Sequence, residues 1–402
     1  ISGICICSNN PIYANKMDEL RAASQTSPIQ IKHELNLQRR ISPGFQESKW
    51  QISIPVDSGQ TEKNRADTLW KEAAADSQYV SGSNNEFFMG EGYRQSWATP
   101  IKVPVINFSG KGGLTLTGKS SGIQTETLFA RDSSGNRFAI RSLNKDLERF
   151  IPKMLRRDFI VDLVQDQVSA SYPYAKLITQ SLADEAEIYS TKAEVVYVEE
   201  PEDSKIELET SAGNLAFKEE FVSGELVRTK YGHNAKDGSF STVEVMEELL
   251  QNSDKKVDKE FLLKIRFFDM LINDWHRHEE QYLWVEIERQ NGENLLRPFP
   301  IDRDNSFLLT DGVIPYLGTR KWGARKFQNF GPDISDMIGM NFVARHLDRR
   351  FLGDMTKDTW QKVAGELKAA LTDSVIENSV RELPDKLYEL RGPFFERILK
   401  QR

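Results

Sequence analysis

Residues 267–284, FFDMLINDWHRHEEQYLW, hold two of the chain's five histidines, an arginine and four carboxylates between apolar and aromatic flanks. The apolar run from Phe267 to Ile272 breaks into polar residues and returns at Tyr282-Leu283-Trp284, the pattern of a loop between a buried helix and a strand. His276 and His278 alternate as they would in a metal site, and Asp274, Glu279 and Glu280 add hard oxygen donors. One hairpin's length further on lies Pro300-Ile301-Asp302-Arg303-Asp304-Asn305-Ser306-Phe307. In extended chain, residues two apart share a face, so Asp302 and Asp304 aim together, and paired carboxylates suit Mg2+. The plainer alternative is a turn in which Arg303 pairs with Asp304. Together the two clusters predict one site for phosphate and metal.

Such a site needs elements that bring a phosphate to it. Leu114–Thr117 and Thr125–Ala130 read as strands flanking Gly118-Lys119-Ser120-Ser121-Gly122. Gly118 and Gly122 let backbone N–H groups approach an anion and Lys119 adds charge, although most such loops are plain hairpin turns. Asp132-Ser133-Ser134-Gly135-Asn136 reads as a second turn, from which Arg137–Arg141 returns as a strand. Phe138-Ala139-Ile140-Arg141 ends a hydrophobic run in a cation, as a nucleotide-binding small lobe does to hold α- and β-phosphates. Arg141 offers a planar fork and Lys145 a compact ammonium, so both are candidates. Asp162 or Asp166 on the following helix would orient that cation; exposed helix charges are the bland alternative.

Around these segments the periodicity predicts helices over 157–170 and 175–187, a strand over 193–198, an acidic turn-rich stretch over 199–211 and an extended connector over 215–221. Beyond it the chain reads as mainly helical, with strands at 282–288 and 295–301. Upstream, 15–65 reads as a polar arm with a short strand at 50–56, and 65–75 as helical. Tyr93, Arg94 and Trp97 read as packing residues.

Composition bounds the function. A chain of 402 residues with 39% hydrophobic and 28% charged residues is ordinary for a globular protein. Lys and Arg number 53 against 60 Asp and Glu, a net charge of −7, which gives no general grip on nucleic acid. The basic clusters Arg156-Arg157 and Arg320–Lys326 read as solvated faces. No run reaches the ~18 apolar residues of a transmembrane helix. The 2 cysteines, Cys5 and Cys7, leave the globular part without a disulfide framework. The apolar start running into Pro11-Ile12-Tyr13-Ala14 reads as the remnant of an export signal, set against an ordinary frayed terminus.

The order of parts, glycine hairpin, cation-bearing strand, helices, connector, His/Asp loop, hairpin, acidic motif and helical tail, resembles an atypical kinase. His276-Arg277-His278-Glu279-Glu280-Gln281 is similar to the D-R-H-x-x-N signature of phosphoinositide kinases, with kinship to HipA-type and CotH-type kinases. Asp302-Arg303-Asp304 is similar to their metal motif. Tyr93-Arg94, Trp97-Ala98-Thr99-Pro100, Gly122-Ile123-Gln124-Thr125, Val164–Ala170, Asp269–Ile272 and Asp302–Asp304 further resemble an uncharacterised bacterial envelope family. That family carries such a region beside calcineurin-like metallophosphoesterase or outer-membrane surface-antigen domains. Neither a metallophosphoesterase ligand pattern nor a closing set of barrel strands is read here.

The resemblance implies an α+β, bilobal, protein-kinase-like fold. Its divisions are an export-signal remnant at 1–14, an arm at 15–99, a small antiparallel-sheet lobe at 100–215 and a mainly helical large lobe at 216–402. It implies ATP with Mg2+ or Mn2+, and phosphate transfer to an envelope protein, sugar or lipid beside an outer-membrane-associated partner. Arg141 or Lys145 would hold phosphates, with Asp166 orienting the cation, and Asp302, Asp304 and Gln281 would hold the metal. His276 or Asp274 would position the acceptor hydroxyl, and Arg277 with His278 would brace the loop. The signature places an aspartate where this chain has His276 and an asparagine where it has Gln281, so a pseudokinase scaffold is the second expectation. A hydrolase holding one transition metal with Asp274, His276, His278 and Asp304 is the third.

Overall fold

The computed structural model describes residues 69–80, 83–108, 113–121, 126–144, 164–200, 212–289 and 293–402. The expected export remnant, the strand at 50–56, Asp162, Arg156-Arg157, Gly122 and Lys145 lie outside them.

The first sheet contains β1 (Trp70–Ala73), β2 (Ile101–Ile106), β3 (Thr115–Ser121), β4 (Glu126–Arg131), β5 (Arg137–Ser142), β6 (Ala193–Val198) and β7 (Leu215–Glu220), ordered β1-β2-β6-β7-β5-β4-β3. All neighbours are antiparallel except β2 and β6. The β4–β5 turn forms where expected: Asp132 Oδ1 accepts from Ser134 N (2.9 Å) and Asn136 N (2.8 Å), a local side-chain bond that fixes the reversal. Strand alternation sends Ile140, Ala216 and Val196 into one apolar cluster with Leu128 and Ala130. The opposite face of β5 and β7 carries Arg141, Phe217 and Glu219.

Four elements differ from expectation. Trp70–Ala73 is a strand paired with β2, because Ile101–Pro104 offers an edge that a helix could not use. Gly118 and Lys119 lie inside β3, next to a register shift between Leu116 and Gly118, rather than in a turn. Residues 164–166 are helical and 167–170 tighten to a 3-10 turn. Residues 215–220 are a central strand rather than a connector.

The helices in chain order are α1 (Ser83–Met89), α2 (Arg94–Ala98), α3 (Ala175–Glu185), α4 (Gly224–Tyr231), α5 (Thr242–Gln251), α6 (Lys259–Leu271), α7 (Val313–Gly318), α8 (Met337–Met340), α9 (Arg345–Phe351), α10 (Lys357–Ala370), α11 (Asp373–Val380) and α12 (Asp385–Gln401). A second sheet, ordered β8-β10-β11-β9, sits among them, with β8 (Phe240–Ser241), β9 (Lys255–Val257), β10 (Tyr282–Glu288) and β11 (Asn294–Pro300). β9 pairs only with Asn294–Leu296, so Pro298 and Pro300 cost the sheet no hydrogen bond on that side. Tyr93 and Trp97 are buried packing residues as expected, and Tyr93 donates to Phe307 O (2.6 Å). No helix among the described residues is long and apolar enough to cross a membrane. The expected fold class is the one observed: α+β, with a mostly antiparallel sheet lobe preceding a mainly helical part.

Candidate functional site

Helix α6 begins at an Asp258 cap that accepts from Phe261 N (3.2 Å) and ends against Asn273, whose φ of +60° is a conformation asparagine tolerates. Asn273 is buried and donates to Gln328 O (2.7 Å), so the helix stops at a fixed place. The polar segment Asp274–His278 then crosses to a 3-10 turn, Glu279–Gln281, and into β10. This is the loop between buried helix and strand that the residue pattern predicts.

Beneath it lies a dense ionic network. Asp269, fully buried, accepts from Arg266 (2.9 Å), Tyr282 Oη (3.1 Å) and Arg303 (3.4 Å). Asp274 accepts from His276 N (3.1 Å) and Arg277 (3.1 Å). Arg277 also donates to Ile301 O (2.7 Å) and Gln281 O (2.6 Å), tying the loop to the end of the β10–β11 hairpin. Burial lifts the Asp274 carboxyl to about 6, against the pull of Arg277. Charges this deep persist only when paired. Asp274 is therefore engaged in shaping the loop. Arg277 ties the loop to the hairpin through its carbonyl contacts.

Above the network lie His276, His278 and Gln281. The His276 and His278 rings meet edge to face at 4.7 Å, and Asn305 Nδ2 lies 3.5 Å from His276 Nδ1. His278 Nδ1 accepts from Glu280 N (3.2 Å) and caps the 3-10 turn. Burial and the neighbouring Arg277 depress His278 to about 4, so it is neutral near pH 7. Gln281 turns Nε2 to His278 Nε2 (3.3 Å) and leaves its Oε1 buried with no hydrogen-bond partner.

After β11 the extended geometry does not continue. Asp302 has φ +62°, and this reversal separates its carboxylate from the Arg303 side chain, which goes inward to Asp269 over the Phe268 ring (4.6 Å). The simple Arg303–Asp304 turn is thus replaced by a different pairing. Asp302 and Asp304 still share one place: both line a cavity of about 30 Å3 with Arg141, Lys176 and Glu219 of the first sheet and α3. Arg141 Nη1 lies 3.4 Å from Asp302 Oδ1. Burial opposes its charge, but Glu219, Asp302 and Asp304 outweigh that and hold its pKa above the usual value. Asp304 accepts from Asn305 Nδ2 (2.9 Å), which links this cavity to His276.

The remaining expected residues are elsewhere. Asp166 forms a fork-to-fork pair with Arg94 (2.7 and 2.7 Å), not with Arg141. A carboxylate beside a preformed guanidinium fork is already spent, which is why helix position alone misassigned it. Gly118 and Lys119 sit two strands from β5, and a Cβ at Gly118 would meet only Phe129, at 3.9 Å. The partner the sequence reading missed is Glu219, in ion contact with Lys176 (2.5 Å). Its signal was the alternation Leu215, Phe217, Glu219, masked by treating the segment as a connector. Among the described residues no group of three or more His, Cys, Asp and Glu side chains is placed to hold a metal, so the transition-metal set Asp274, His276, His278 and Asp304 does not assemble. For Mg2+, the oxygens of Asp302 and Asp304 and the orphaned Gln281 Oε1 are donors of the right chemistry.

Among solved structures the chain is similar to a Helicobacter pylori proinflammatory kinase, CtkA, at 10% identity and TM-score 0.36, over 74% of this chain and 94% of that one. It is also similar to the Rio2 kinase–ADP/Mg2+–phosphoaspartate complex from Chaetomium thermophilum, at 11% identity and TM-score 0.28, over 69% and 71%. Likeness at these scores bears on neither the activity nor the site residues of this chain. No protein-family model matches it, and no curated protein matches it.

Proposed function

We propose that the chain is a kinase-like nucleotide-binding protein that holds a nucleotide and Mg2+ or Mn2+ at the junction of the first sheet and the loop after β11. The observation that carries this reading is Arg141 facing Asp302 and Asp304 across one cavity, a phosphate cation opposite metal carboxylates. Arg141 would hold phosphate, and Asp302, Asp304 and Gln281 the metal, which would neutralise developing phosphate charge. His276, beside Asn305, would take the acceptor's proton as a neutral base. The acceptor is proposed to be an envelope protein, sugar or lipid, on the sequence resemblance alone; fractionation of the producing cells tests the location. Calorimetric titration of the full chain with ATP and Mg2+ or Mn2+ tests the site: one bound nucleotide is expected, and no binding with either metal sinks the reading.

A second reading, a pseudokinase scaffold, is favoured by one feature. Asp274, the carboxylate nearest in sequence to His276, is buried in its pair with Arg277 and is thereby committed to the scaffold. His276→Asp separates the two: a changed rate of phosphate transfer supports the enzyme, and transfer undetectable in both forms supports the scaffold.

A further inference from the structure

We propose that Lys176, held by Glu219, is a phosphate-chain cation of this cavity; the inference rests on reading the cavity as a nucleotide site. Lys176 lies in the first turn of α3 and Glu219 on β7, and both are buried. Their charged ends meet at 2.5 Å, and the other Glu219 oxygen lies 3.5 Å from Thr191 Oγ1. Residue pairing in the sheet sets Arg141 opposite Phe217 and Ala139 opposite Glu219, so Arg141 and Glu219 are diagonal neighbours on one face. Lys176, Glu219, Arg141, Asp302 and Asp304 therefore line one small volume from a helix, two strands and the loop after β11.

The charges divide by what each can bind. If Asp302 and Asp304 take a metal, the groups left are Arg141, Lys176 and Glu219, which carry a net positive charge. Arg141 alone offers one cation to a chain of phosphates, and Lys176 adds a second donor in the same volume. A buried lysine–glutamate pair is also a poor stabiliser, since apolar residues of similar volume often do as well or better. The ammonium is a compact charge on a flexible stem, suited to exchange one glutamate contact for a phosphate oxygen. Lys176 thus supplies, from the helix, the ammonium that the sequence pattern sought at Lys145.

The test is a titration of the full chain with Mg·ATP and, separately, with inorganic tripolyphosphate, read well below each variant's melting midpoint. The variant is Lys176→Met with Glu219→Leu, which removes both charges of the pair together. The expected result is a melting midpoint at or above that of the parent chain, with both ligands bound at least tenfold more weakly. Lys176→Arg, which keeps charge and pair, should bind within a few-fold of the parent. Binding by the apolar double variant within twofold of the parent overturns the role of Lys176 and leaves the nucleotide reading standing. A parent chain that binds neither ligand overturns both.

Discussion

Two ionic clusters adjoin in this chain and are built on opposite principles. In the first, Asp269 and Asp274 are surrounded by Arg266, Arg277 and Arg303, each carboxylate accepts at least two hydrogen bonds, and water is excluded. In the second, Arg141 and Lys176 face Glu219, Asp302 and Asp304 around a cavity, and the Arg141–Asp302 contact is only 3.4 Å and partly open to solvent. Asp302 and Arg303 are adjacent in sequence, yet the left-handed turn at Asp302 sends them to different clusters. A buried network in which each carboxylate is held by two or more donors fixes geometry. Charges gathered around a cavity can exchange a contact for a ligand, which a binding site must do. The contrast divides the conspicuous motif: Asp274 and Arg277 shape the loop, while His276 and Gln281 belong with the proposed ligand groups opposite it.

Breaking the buried cluster should have the largest effect. Arg277→Met leaves the buried Asp274 without its ion-pair partner and takes the side-chain donor from Ile301 O, a loss of about 3–5 kcal/mol. Urea unfolding of the variant measures it; a loss below about 1 kcal/mol would place Arg277 outside the scaffold. The matching change in the open cluster is Asp302→Asn, which keeps a side chain tolerated at positive φ. Stability should stay within about 1 kcal/mol while Mg·ATP affinity falls at least tenfold, a difference of about 1.4 kcal/mol in binding. Equal affinity would remove Asp302 from the site.

The pH dependence sharpens the border between the clusters. His278 is depressed to about 4 from 6.5, so between these values the unfolded chain binds the proton and the folded chain does not. Its contribution is present above pH 6.5 and is lost as pH falls towards 4. Asp274, raised from 3.8 to about 6, has the opposite sign: its stabilisation is present below 3.8 and lost as pH rises through 6. Replacing His278 by Gln should therefore lower the slope of stability against pH over 4–6.5, by at most about 1.4 kcal/mol per unit. An unchanged slope in denaturant titrations contradicts a neutral, half-buried His278. The smallest effect is expected at Arg402, which donates to Met270 O (2.9 Å) and Leu271 O (3.1 Å) at the end of α6. Arg402→Ala should cost about 1 kcal/mol in the same measurement, as the loss of a cation at a helix C-terminus does.

Where local pattern and long-range pairing agreed, the sequence was a good guide. The Asp132 turn, β6, the apolar face of α6 and the β10–β11 hairpin all follow from alternation or helical spacing, which neighbouring residues alone set. The relation of Arg141 to Asp302 also followed, though by a left-handed turn in place of the extended geometry assumed. The failures share a cause: partners chosen by the tertiary fold. Asp166 lost its assigned cation because Arg94, distant in sequence, reaches it with a matched fork. Glu219 was unreadable as a site residue until 215–220 was recognised as a central strand, and Lys176 meant nothing without Glu219. Trp70–Ala73 became a strand because β2 offered an edge.

The most direct test of the account is a crystal structure of the full chain with Mg2+ and a non-hydrolysable ATP analogue. The account predicts phosphates between Arg141 and Lys176 on one side and a metal on Asp302 and Asp304 on the other, with the Arg141–Asp302 contact broken. Nucleotide bound elsewhere, or an unchanged Arg141–Asp302 pair beside a bound nucleotide, would contradict it.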